Sequence, residues 1–514
     1  MATADQMKDW RWRVSNLYTI ADEEGRVIPF RPNGEQIKLM DTMHNRNVIL
    51  KARQLGFSTL IQIMGLDTCL FHANTNMGVI AQDLPTAGRI FREKIKDVYE
   101  RLPDSIRALR AATQNSERAM EFSNKSRIWV DTSMRSGTLQ FLHVSELGKI
   151  AAKYPGKARE IKTGAFPTVH SGQHIFVEST AEGQGGLFHE MVMTARERED
   201  QGLELTPLEF KLHFVPWWND NRYRIKTDRT IPAKHQAYFA ELKRQHGIEL
   251  DIEQQRWYSQ QALQQGEDMR REFPSYLEEA FEAPIEGAYY TEELRRAREQ
   301  LRIGDYPFDP KLGAVYTFWD LGRSDLMTIW LAQRVGASRW RFFDYVQGQD
   351  ESFPHYARVL RERQNEHGGW VYGGHFLPHD GARTDISAAA SRKTTLENLH
   401  IFPVHIVKRT KDLSGPALTS SINLVKAFMD LCAFDRVGCA EGLKHLANYR
   451  REWDDKLAIW KTKPFHNQAS DGSDGYRTAA EADYQGLLDR EMYGDDYDAA
   501  AENRLRHADE HTGY

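Results

Sequence analysis

Cysteine and long apolar runs are scarce in this sequence. The 514 residues include only three cysteines, Cys69, Cys432 and Cys439, which form neither a disulfide framework nor a zinc-ligand spacing. Such isolated cysteines are typical of a protein in a reducing cytoplasm. No apolar run approaches the ~20 residues of a membrane-spanning helix, and the first residues lack the apolar segment of a signal peptide. We therefore expect neither secretion nor a membrane span.

Net charge is also small. The formal charge is −5, so the chain as a whole is not a typical nucleic-acid binder. Residues 483–514 hold nine acidic and three basic residues, which leaves the remainder near +1. A basic cluster lies in a charged helical stretch at residues 85–110, and it can either contact phosphates or form an ordinary solvated helix face. The cluster consists of Arg89, Arg92, Lys94, Lys96, Arg101, Arg107 and Arg110.

Length and pattern indicate several α/β domains. A chain of 514 residues is too long for one hydrophobic core, so we expect two or three domains. Apolar strands alternate with helical stretches in both halves of the sequence, which is typical of sheets covered by helices. Functional side chains then lie at the carboxyl ends of the strands.

A strand, a glycine turn and a helix follow one another at residues 47–61. Backbone N–H groups and a helix N-terminus in this layout face an anion, as in loops that bind ATP phosphates. Lys51 stands where that loop has its first glycine, and Phe57 where it has its lysine. The alternative is a strand–turn–helix in which a serine only caps the helix. The candidate nucleotide-binding residues are Lys51, Arg53, Gln54, Gly56, Ser58 and Thr59, and Ser58 is also a candidate Mg²⁺ ligand.

Two more predicted strands end on polar side chains. The strand at residues 139–144 is followed by Ser145 and Glu146, and Ser179 and Thr180 follow the strand at 174–178. Glu146 can polarise the water that attacks a phosphate, whereas Ser145 cannot supply an anionic metal ligand. Ser179 and Thr180 supply two hydroxyls at the end of the next strand. An exposed glutamate and a helix-capping pair are the plainer alternatives.

Three carboxylates in the second half predict a metal-dependent nuclease. Asp320 ends a buried strand, Asp380 follows another apolar run, and Asp471 or Asp474 places a third carboxylate at the start of a predicted helix. A bare carboxylate on a buried strand is costly unless it is paired or bound to a metal. Such a set suits two Mg²⁺ or Mn²⁺ ions that clamp a phosphodiester during cleavage. A nucleotide site that precedes a metal nuclease site indicates ATP-driven work on DNA.

Together these motifs resemble the large terminase subunits of tailed bacteriophages over roughly residues 25–485. The resemblance implies a fold of the α/β class, with an N-terminal P-loop-type parallel-sheet ATPase domain, a small helical linker and a C-terminal RNase H-like nuclease domain. It also implies that Gln36 contacts adenine, that Arg135 reaches a neighbouring subunit's phosphates, and that Ser179 and Thr180 form a coupling motif. Glu146 is then the ATPase catalytic residue.

The resemblance further implies a nuclease triad of Asp320, Asp380 and Asp474. We expect five segments: an N-terminal arm at 1–30, an ATPase domain at 31–225, a linker and bridge at 226–305, the nuclease domain at 306–485, and an acidic tail at 486–514. ATP and Mg²⁺ or Mn²⁺ are the expected cofactors.

The expected function is viral DNA packaging, in which ATP hydrolysis drives double-stranded DNA into a procapsid and an endonuclease cuts concatemeric DNA. The expected partners are DNA, a portal protein, a small terminase subunit and further copies of the chain in a ring. The expected location is the host cytoplasm, with transient binding at the procapsid portal vertex. The alternatives are a metal-dependent nuclease with an inactive ATPase domain and a non-enzymatic docking protein at a capsid vertex.

Overall fold

The computed structural model divides the chain into two compact units, Met1–Pro284 and Ile285–Tyr514. The residues that it describes are 3–135, 137–282, 287–322, 326–336, 338–366, 368–385, 390–408, 417–454 and 459–488. The acidic tail, apart from its first three residues, lies outside these ranges. The division into five segments stays a prediction.

Unit 1 contains ten described strands and fourteen described α-helices. The strands are β1 (Thr19–Ala21), β2 (Val27–Pro29), β3 (Arg46–Lys51), β4 (Asn76–Ile80), β5 (Ala112–Asn115), β6 (Ala119–Phe122), β7 (Arg127–Asp131), β8 (Leu139–Ser145), β9 (Val169–Ser179) and β10 (Phe210–Val215). The helices are α1 (Ala4–Lys8), α2 (Trp10–Asn16), α3 (Gly34–Thr42), α4 (Phe57–Phe71), α5 (Leu84–Phe91), α6 (Asp97–Glu100), α7 (Asp104–Leu109), α8 (Leu147–Lys153), α9 (Pro155–Glu160), α10 (Gly186–Asp200), α11 (Ala233–His246), α12 (Ile252–Gln265), α13 (Met269–Glu272) and α14 (Leu277–Glu282).

An eight-stranded sheet forms the centre of unit 1. Its order is β10-β3-β9-β8-β4-β7-β6-β5, and the pairs from β10 to β7 are all parallel. Successive side chains of a strand face opposite sides of a sheet. Accordingly, Ile49 of β3 packs into one apolar core, whereas its neighbours Val48 and Leu50 pack into another. Because both faces are covered, the carboxyl ends of the strands are the accessible edge for chemistry.

A buried ion pair attaches the N-terminal arm to α4. Arg13 Nη2 lies 2.6 Å from Asp67 Oδ2, and the Tyr18 hydroxyl donates to Asp67 Oδ1 at 2.7 Å. Both members of the ion pair are almost fully buried. The arm is therefore fixed to the helix that begins at the predicted phosphate loop.

Unit 2 contains eleven described strands and six described α-helices. The strands are β11 (Ile303–Gly304), β12 (Val315–Asp320), β13 (Leu326–Val335), β14 (Arg339–Gln349), β15 (Tyr372–Leu377), β16 (Thr384–Asp385), β17 (Ala390–Ser391), β18 (Val404–Ile406), β19 (Cys432–Asp435), β20 (Arg451–Asp454) and β21 (Ile459–Pro464). The helices are α15 (Thr291–Glu299), α16 (Phe353–Glu366), α17 (Arg392–Asn398), α18 (Ala417–Met429), α19 (Ala440–Asn448) and α20 (Gln468–Tyr484).

The main sheet of unit 2 has the order β11-β19-β14-β13-β12-β15-β18. Its first three long strands, β12 to β14, pair antiparallel, and β15 and β18 then continue parallel on the other side of β12. This order, in which three antiparallel strands are extended by parallel ones on the side of the first, is that of an RNase H-like sheet. Phe318 and Trp319 pack into separate apolar cores on its two faces. Together with the parallel sheet of unit 1, it confirms the predicted fold class.

Neither unit offers a membrane-spanning segment in the described ranges, since no helix there is both long and apolar enough to cross a bilayer.

Candidate functional sites

The predicted phosphate loop joins β3 to α4 at the carboxyl edge of the unit 1 sheet. Its backbone is left-handed at Gln54, with φ of 60°, and at Gly56, with φ of 75°. A side chain at Gly56 would lie 2.8 Å from Nε2 of Gln36, so this position needs glycine. Phe57 begins α4 and is buried. A buried aromatic side chain therefore occupies the position where the phosphate-loop motif carries its lysine.

Gln36 supports this loop from α3. Its Nε2 donates to the Gly56 carbonyl at 2.9 Å, while its Oε1 accepts from the Asn33 N–H at 2.9 Å in a capping box. The side chain is buried and is not among the residues that line the cavity described below. Both ends of the amide therefore hold backbone of this chain, and the adenine contact stays a prediction.

Glu178 is the central carboxylate of the site. It is fully buried near the end of β9, and its Oε1 accepts from Ser58 Oγ at 2.6 Å and from Ser145 Oγ at 2.9 Å. Its Oε2 lies 3.0 Å from Lys51 Nζ. Burial raises the pKa of Glu178, but the charge of Lys51, the nearby His143 and the hydrogen bond from Ser58 more than offset burial, so the pKa lies well below its usual value. The carboxylate is therefore ionised at neutral pH.

Lys51 connects this carboxylate to Glu146. Lys51 Nζ lies 3.5 Å from Glu146 Oε1, and only 7% of the lysine side chain is exposed. Burial lowers the pKa of Lys51, and Glu178 and Glu146 more than offset that effect, so the pKa is raised. The resemblance implies an aspartate where this chain has Ser145, and the Ser145 hydroxyl donates to Glu178 of the adjacent strand at 2.9 Å.

Glu146 follows β8 in a strained backbone conformation. Its φ of 59° and ψ of 46° are left-handed, which costs a non-glycine residue about 1 kcal/mol or more. Its N–H donates to the Glu178 carbonyl at 2.7 Å, and its Oε2 lies 3.4 Å from Ser179 Oγ and 3.6 Å from Lys149 Nζ. Such strain is typical of catalytic positions that the surrounding contacts fix in place.

Arg53 is the second predicted cation, and an acidic partner already holds it. Its Nη1 lies 3.2 Å from Glu272 Oε2 of α13, and its N–H donates to the Glu272 carbonyl at 2.9 Å. Half of the Arg53 side chain is exposed, whereas Glu272 is buried. Arg271, which precedes Glu272 in α13, contacts Glu182 in the segment after β9. The short helix α13 therefore contacts both the phosphate loop and the segment after β9.

The two coupling hydroxyls have different surroundings. Ser179 Oγ accepts from the Gly148 N–H at 3.1 Å, so it ties β9 to the start of α8. Thr180 lines the cavity, and within the described ranges its buried Oγ1 has no hydrogen-bond partner. Thr59, on α4, does not line the cavity. Thr180 is therefore better placed than Ser179 or Thr59 to meet a ligand.

A cavity of about 410 Å³ lies at the phosphate loop. Its lining includes Lys51, Arg53, Gln54, Gly56, Ser58, Ser145, Glu146, Thr180 and Glu272, together with Lys94 and Arg89 from the basic stretch. In the part of the chain that the structure describes, Lys94 forms no ion pair. Burial lowers the pKa of Lys94. The charge of Glu178 partly offsets this effect, and the charge of nearby Lys51 lowers the pKa further. An anion in this cavity could therefore pair with the Lys94 amine, which no carboxylate of the described residues neutralises.

Arg135 lies apart from this cavity. It precedes β8, two thirds of its side chain is exposed, and its Nε lies 2.5 Å from Glu160 Oε1 of α9. An exposed arginine can reach a second molecule, and within this chain its partner is Glu160.

The unit 2 sheet places the predicted nuclease carboxylates at one edge. Asp320 ends β12, and Asp380 lies in a short 3₁₀ turn after β15. Because β12 and β15 are parallel neighbours, their carboxyl ends meet at the same edge. Asp474 reaches this edge from α20. Burial raises the pKa of Asp320 well above its usual value, and Asp474, Asp471 and Asp380 raise it further.

The C-terminal helix α20 packs closely on the strand ends. The Thr328 hydroxyl donates to the Asp471 carbonyl at 3.0 Å, and Thr478 donates to the Trp319 carbonyl at 3.1 Å. A side chain at Gly475 would lie 2.7 Å from Thr328 Oγ1 and 3.5 Å from the Asp320 N atom. Glycine at this position therefore brings Asp471 and Asp474 close to Asp320.

Two of the three nuclease carboxylates have basic partners. Asp380 Oδ2 lies 2.8 Å from Arg392 Nη1, and Asp474 Oδ1 lies 3.0 Å from Arg477 Nη1. In the described ranges, no three His, Cys, Asp or Glu side chains are arranged to hold a metal ion as they stand. The concentration of carboxylates around Asp320 nevertheless suits a divalent cation. Asp325, the next acidic residue after Asp320 in the sequence, lies outside the described residues.

Sequence reasoning missed two residues of the nucleotide-type site, Glu178 and Glu272, and it named Lys94 only within a basic cluster that can contact phosphates. The signal for Glu178 was available, since a glutamate inside an otherwise apolar strand needs a buried partner. Nothing in the sequence connects Glu272 or Lys94 to the phosphate loop, because tertiary folding alone brings them to it.

No family model and no curated protein matches the sequence. Solved structures similar to the chain are large terminases. The HK97 bacteriophage large terminase is 14% identical, with 88% of this chain and 95% of that chain covered and a TM-score of 0.40. The large terminase of a thermophilic bacteriophage, in complex with ATP-gamma-S, is 12% identical, with 87% and 98% covered and a TM-score of 0.30. The P22 large terminase nuclease domain is 16% identical, with 36% and 88% covered and a TM-score of 0.28. At these identities and TM-scores the likeness does not by itself assign an activity to this chain.

Proposed function

We propose that the chain is the ATPase and endonuclease of a viral DNA-packaging motor. The observation that carries this proposal is a cavity at the carboxyl ends of three parallel strands that Lys51, Ser58 and Glu146 line. The buried Glu178 lies directly behind it, in contact with Lys51 and Ser58. An RNase H-like sheet with Asp320, Asp380 and Asp474 at one edge supports the nuclease half.

In the ATPase half, backbone N–H groups of the phosphate loop and the N-terminus of α4 face the phosphates of ATP. Lys51 supplies positive charge from the front of the loop, and Glu146 orients the attacking water. Ser58 and Glu178 are the residues suited to the Mg²⁺ that accompanies ATP, which would neutralise phosphate charge when bound. The Thr180 hydroxyl, which has no hydrogen-bond partner in the described ranges, then lies next to the terminal phosphate.

In the nuclease half, Asp320, Asp380 and Asp474 would hold Mg²⁺ or Mn²⁺, which would activate water and stabilise the leaving oxygen of a phosphodiester. Arg392 and Arg477 form ion pairs with Asp380 and Asp474 and orient these two carboxylates. The partners under this proposal are double-stranded DNA, a portal protein, a small terminase subunit and other copies of the chain in a ring. Its place of action is the host cytoplasm and then the procapsid portal vertex.

The deciding experiment measures ATP hydrolysis by the purified chain with and without double-stranded DNA. We expect DNA-stimulated turnover that Glu146→Gln abolishes and that the exposed control Glu197→Gln on α10 leaves intact. Plasmid cleavage with Mn²⁺ tests the second activity, which Asp320→Asn should abolish and the exposed control Asp305→Asn should keep.

The alternatives make different forecasts for the same assays. A nuclease with an inactive ATPase domain would cleave plasmid without hydrolysing ATP. A docking protein would do neither. Loss of turnover in both the wild type and every variant, with DNA and partner proteins present, would refute the motor.

A further inference from the structure

The acidic side chain nearest to the phosphate-loop serine comes from an unexpected strand. Ser58 is the first hydroxyl of α4, and its Oγ donates to Glu178 Oε1 at 2.6 Å. In phosphate-loop ATPases the loop serine or threonine and an aspartate together hold Mg²⁺. Here Ser145 ends β8, where that aspartate is expected, and it donates to the same Glu178 oxygen at 2.9 Å. One carboxylate therefore contacts both the loop hydroxyl and the residue that stands in for the missing acid.

A purely structural role does not account well for Glu178. A buried carboxylate is costly to desolvate, and a buried ion pair is often no more stable than apolar residues of the same volume. Glu178 is nonetheless fully buried with Lys51 Nζ at 3.0 Å and His143 Nε2 at 3.5 Å. His143 is held in turn by Gln62 at 2.5 Å. This arrangement fixes a negative charge immediately behind a cavity-lining serine.

We propose that Glu178, on β9, takes over the acidic role that Ser145 on β8 cannot fill, and together with Ser58 holds the Mg²⁺ that accompanies ATP. This inference rests on the proposed function, because it needs a nucleotide in the cavity of unit 1. The carboxylate comes from the adjacent strand β9 instead of β8, and glutamate is longer than aspartate by one methylene. This extra length lets a glutamate on β9 reach the position that an aspartate reaches from β8. The substitution at Ser145 is then compensated rather than inactivating.

The test separates metal binding from catalysis. The affinity for the ATP analogue AMP-PNP is measured by calorimetry with Mg²⁺ and again with EDTA. We expect Mg²⁺ to strengthen binding by about tenfold or more in the wild type, in line with one additional charge-assisted interaction. Glu178→Gln should lose this gain while keeping its EDTA affinity within about twofold, since the loop backbone is unchanged.

Two further variants make the result specific. Glu279→Gln is a matched control, because Glu279 is equally buried in unit 1 but hydrogen-bonds Tyr238 and Ser275 away from the cavity. It should keep the Mg²⁺ gain. The exchange variant Ser145→Asp/Glu178→Ser returns one carboxylate to β8 and should restore the gain even if Glu178→Gln does not fold.

The outcomes are distinct from failure of the proposed function. No AMP-PNP binding by the wild type under either condition would remove the nucleotide site itself. Full Mg²⁺ dependence in a folded Glu178→Gln protein, or none in a folded exchange variant, would overturn the role of Glu178 and leave the nucleotide site standing.

Discussion

Lys51→Met removes the only cation that contacts both Glu178 and Glu146 among the described residues. Lys51 is 7% exposed and Glu178 is not exposed at all, so the substitution leaves a buried carboxylate without its partner. Breaking a buried pair in this way costs about 3–5 kcal/mol. At about 2–4 °C per kcal/mol for a unit of this size, we expect the melting temperature to fall by about 6–20 °C.

The pH dependence of this loss has a definite sign. In the wild type the pKa of Glu178 is lowered, so its contribution to stability is present above the ordinary value of 4.5 and is lost as pH falls through the folded-state pKa. Lys51 is the strongest of the groups that lower this pKa, so we expect the pKa of Glu178 to be higher in Lys51→Met than in the wild type. The variant's carboxyl group then takes up a proton at a higher pH than the wild-type carboxylate does, which relieves the unpaired buried charge as pH falls. The gap in melting temperature between the two proteins should therefore widen from about pH 5 to about pH 8.

Thermal unfolding followed by circular dichroism at four pH values tests this reasoning. The double variant Lys51→Met/Glu178→Gln removes both charges and should recover most of the lost stability. Lys149→Met is the control, because Lys149 is partly exposed and lies 3.6 Å from Glu146; we expect a change of at most about 1 kcal/mol. An unchanged melting temperature for Lys51→Met, or a gap that does not vary with pH, would refute the argument.

Three further substitutions test other parts of the chain. Lys94→Met should weaken AMP-PNP binding by about tenfold and ADP binding less, because Lys94 lines the cavity without an ion pair in the described ranges and we expect its amine to attract the terminal phosphate. Lys96→Met in the same turn should change neither affinity, and equal affinities for Lys94→Met and the wild type in calorimetry would exclude this role. Gly475→Ala should destabilise unit 2 by about 1–3 kcal/mol and slow plasmid cleavage, since the added carbon would lie 2.7 Å from Thr328 Oγ1. Thermal unfolding and plasmid cleavage at wild-type levels would contradict this close packing. Arg13→Met should cost about 3–5 kcal/mol by leaving Asp67 buried and unpaired, and Arg13→Met/Asp67→Leu should regain most of it; a neutral single variant in thermal unfolding would disprove the anchor.

Strand ends were the part of the site that the sequence predicted well. An apolar run that stops at a polar residue locates both the strand and its functional end, as at Lys51, Glu146 and Asp320. The parallel sheet then brings these ends together without further information. The spacing of the motifs was therefore enough for the α/β class and for the strand ends at which the candidate residues lie, while the roles of these residues stay predictions.

Partnerships between distant segments could not be predicted in the same way. Arg53 and Glu272 are 219 residues apart, and only the packing of α13 against the loop pairs them. Gln36 was predicted to meet adenine, but its amide can satisfy the loop carbonyls equally well, and the choice depends on the Gly56 backbone. Lys94, which lines the cavity, lies in a π-helical turn at Arg92–Lys96, and local propensity does not reveal such a turn.

The aromatic contacts behind the phosphate loop provide an optical consequence. Tyr223 donates its hydroxyl to the Arg53 carbonyl, and its ring lies 4.6 Å from that of Trp257, which in turn stacks on Trp217 at 5.1 Å. Indole emission depends on the surrounding polarity and packing. A small shift of the loop when a ligand enters the cavity would thus change the fluorescence of native tryptophans, and nucleotide binding could be followed in real time without attaching any dye.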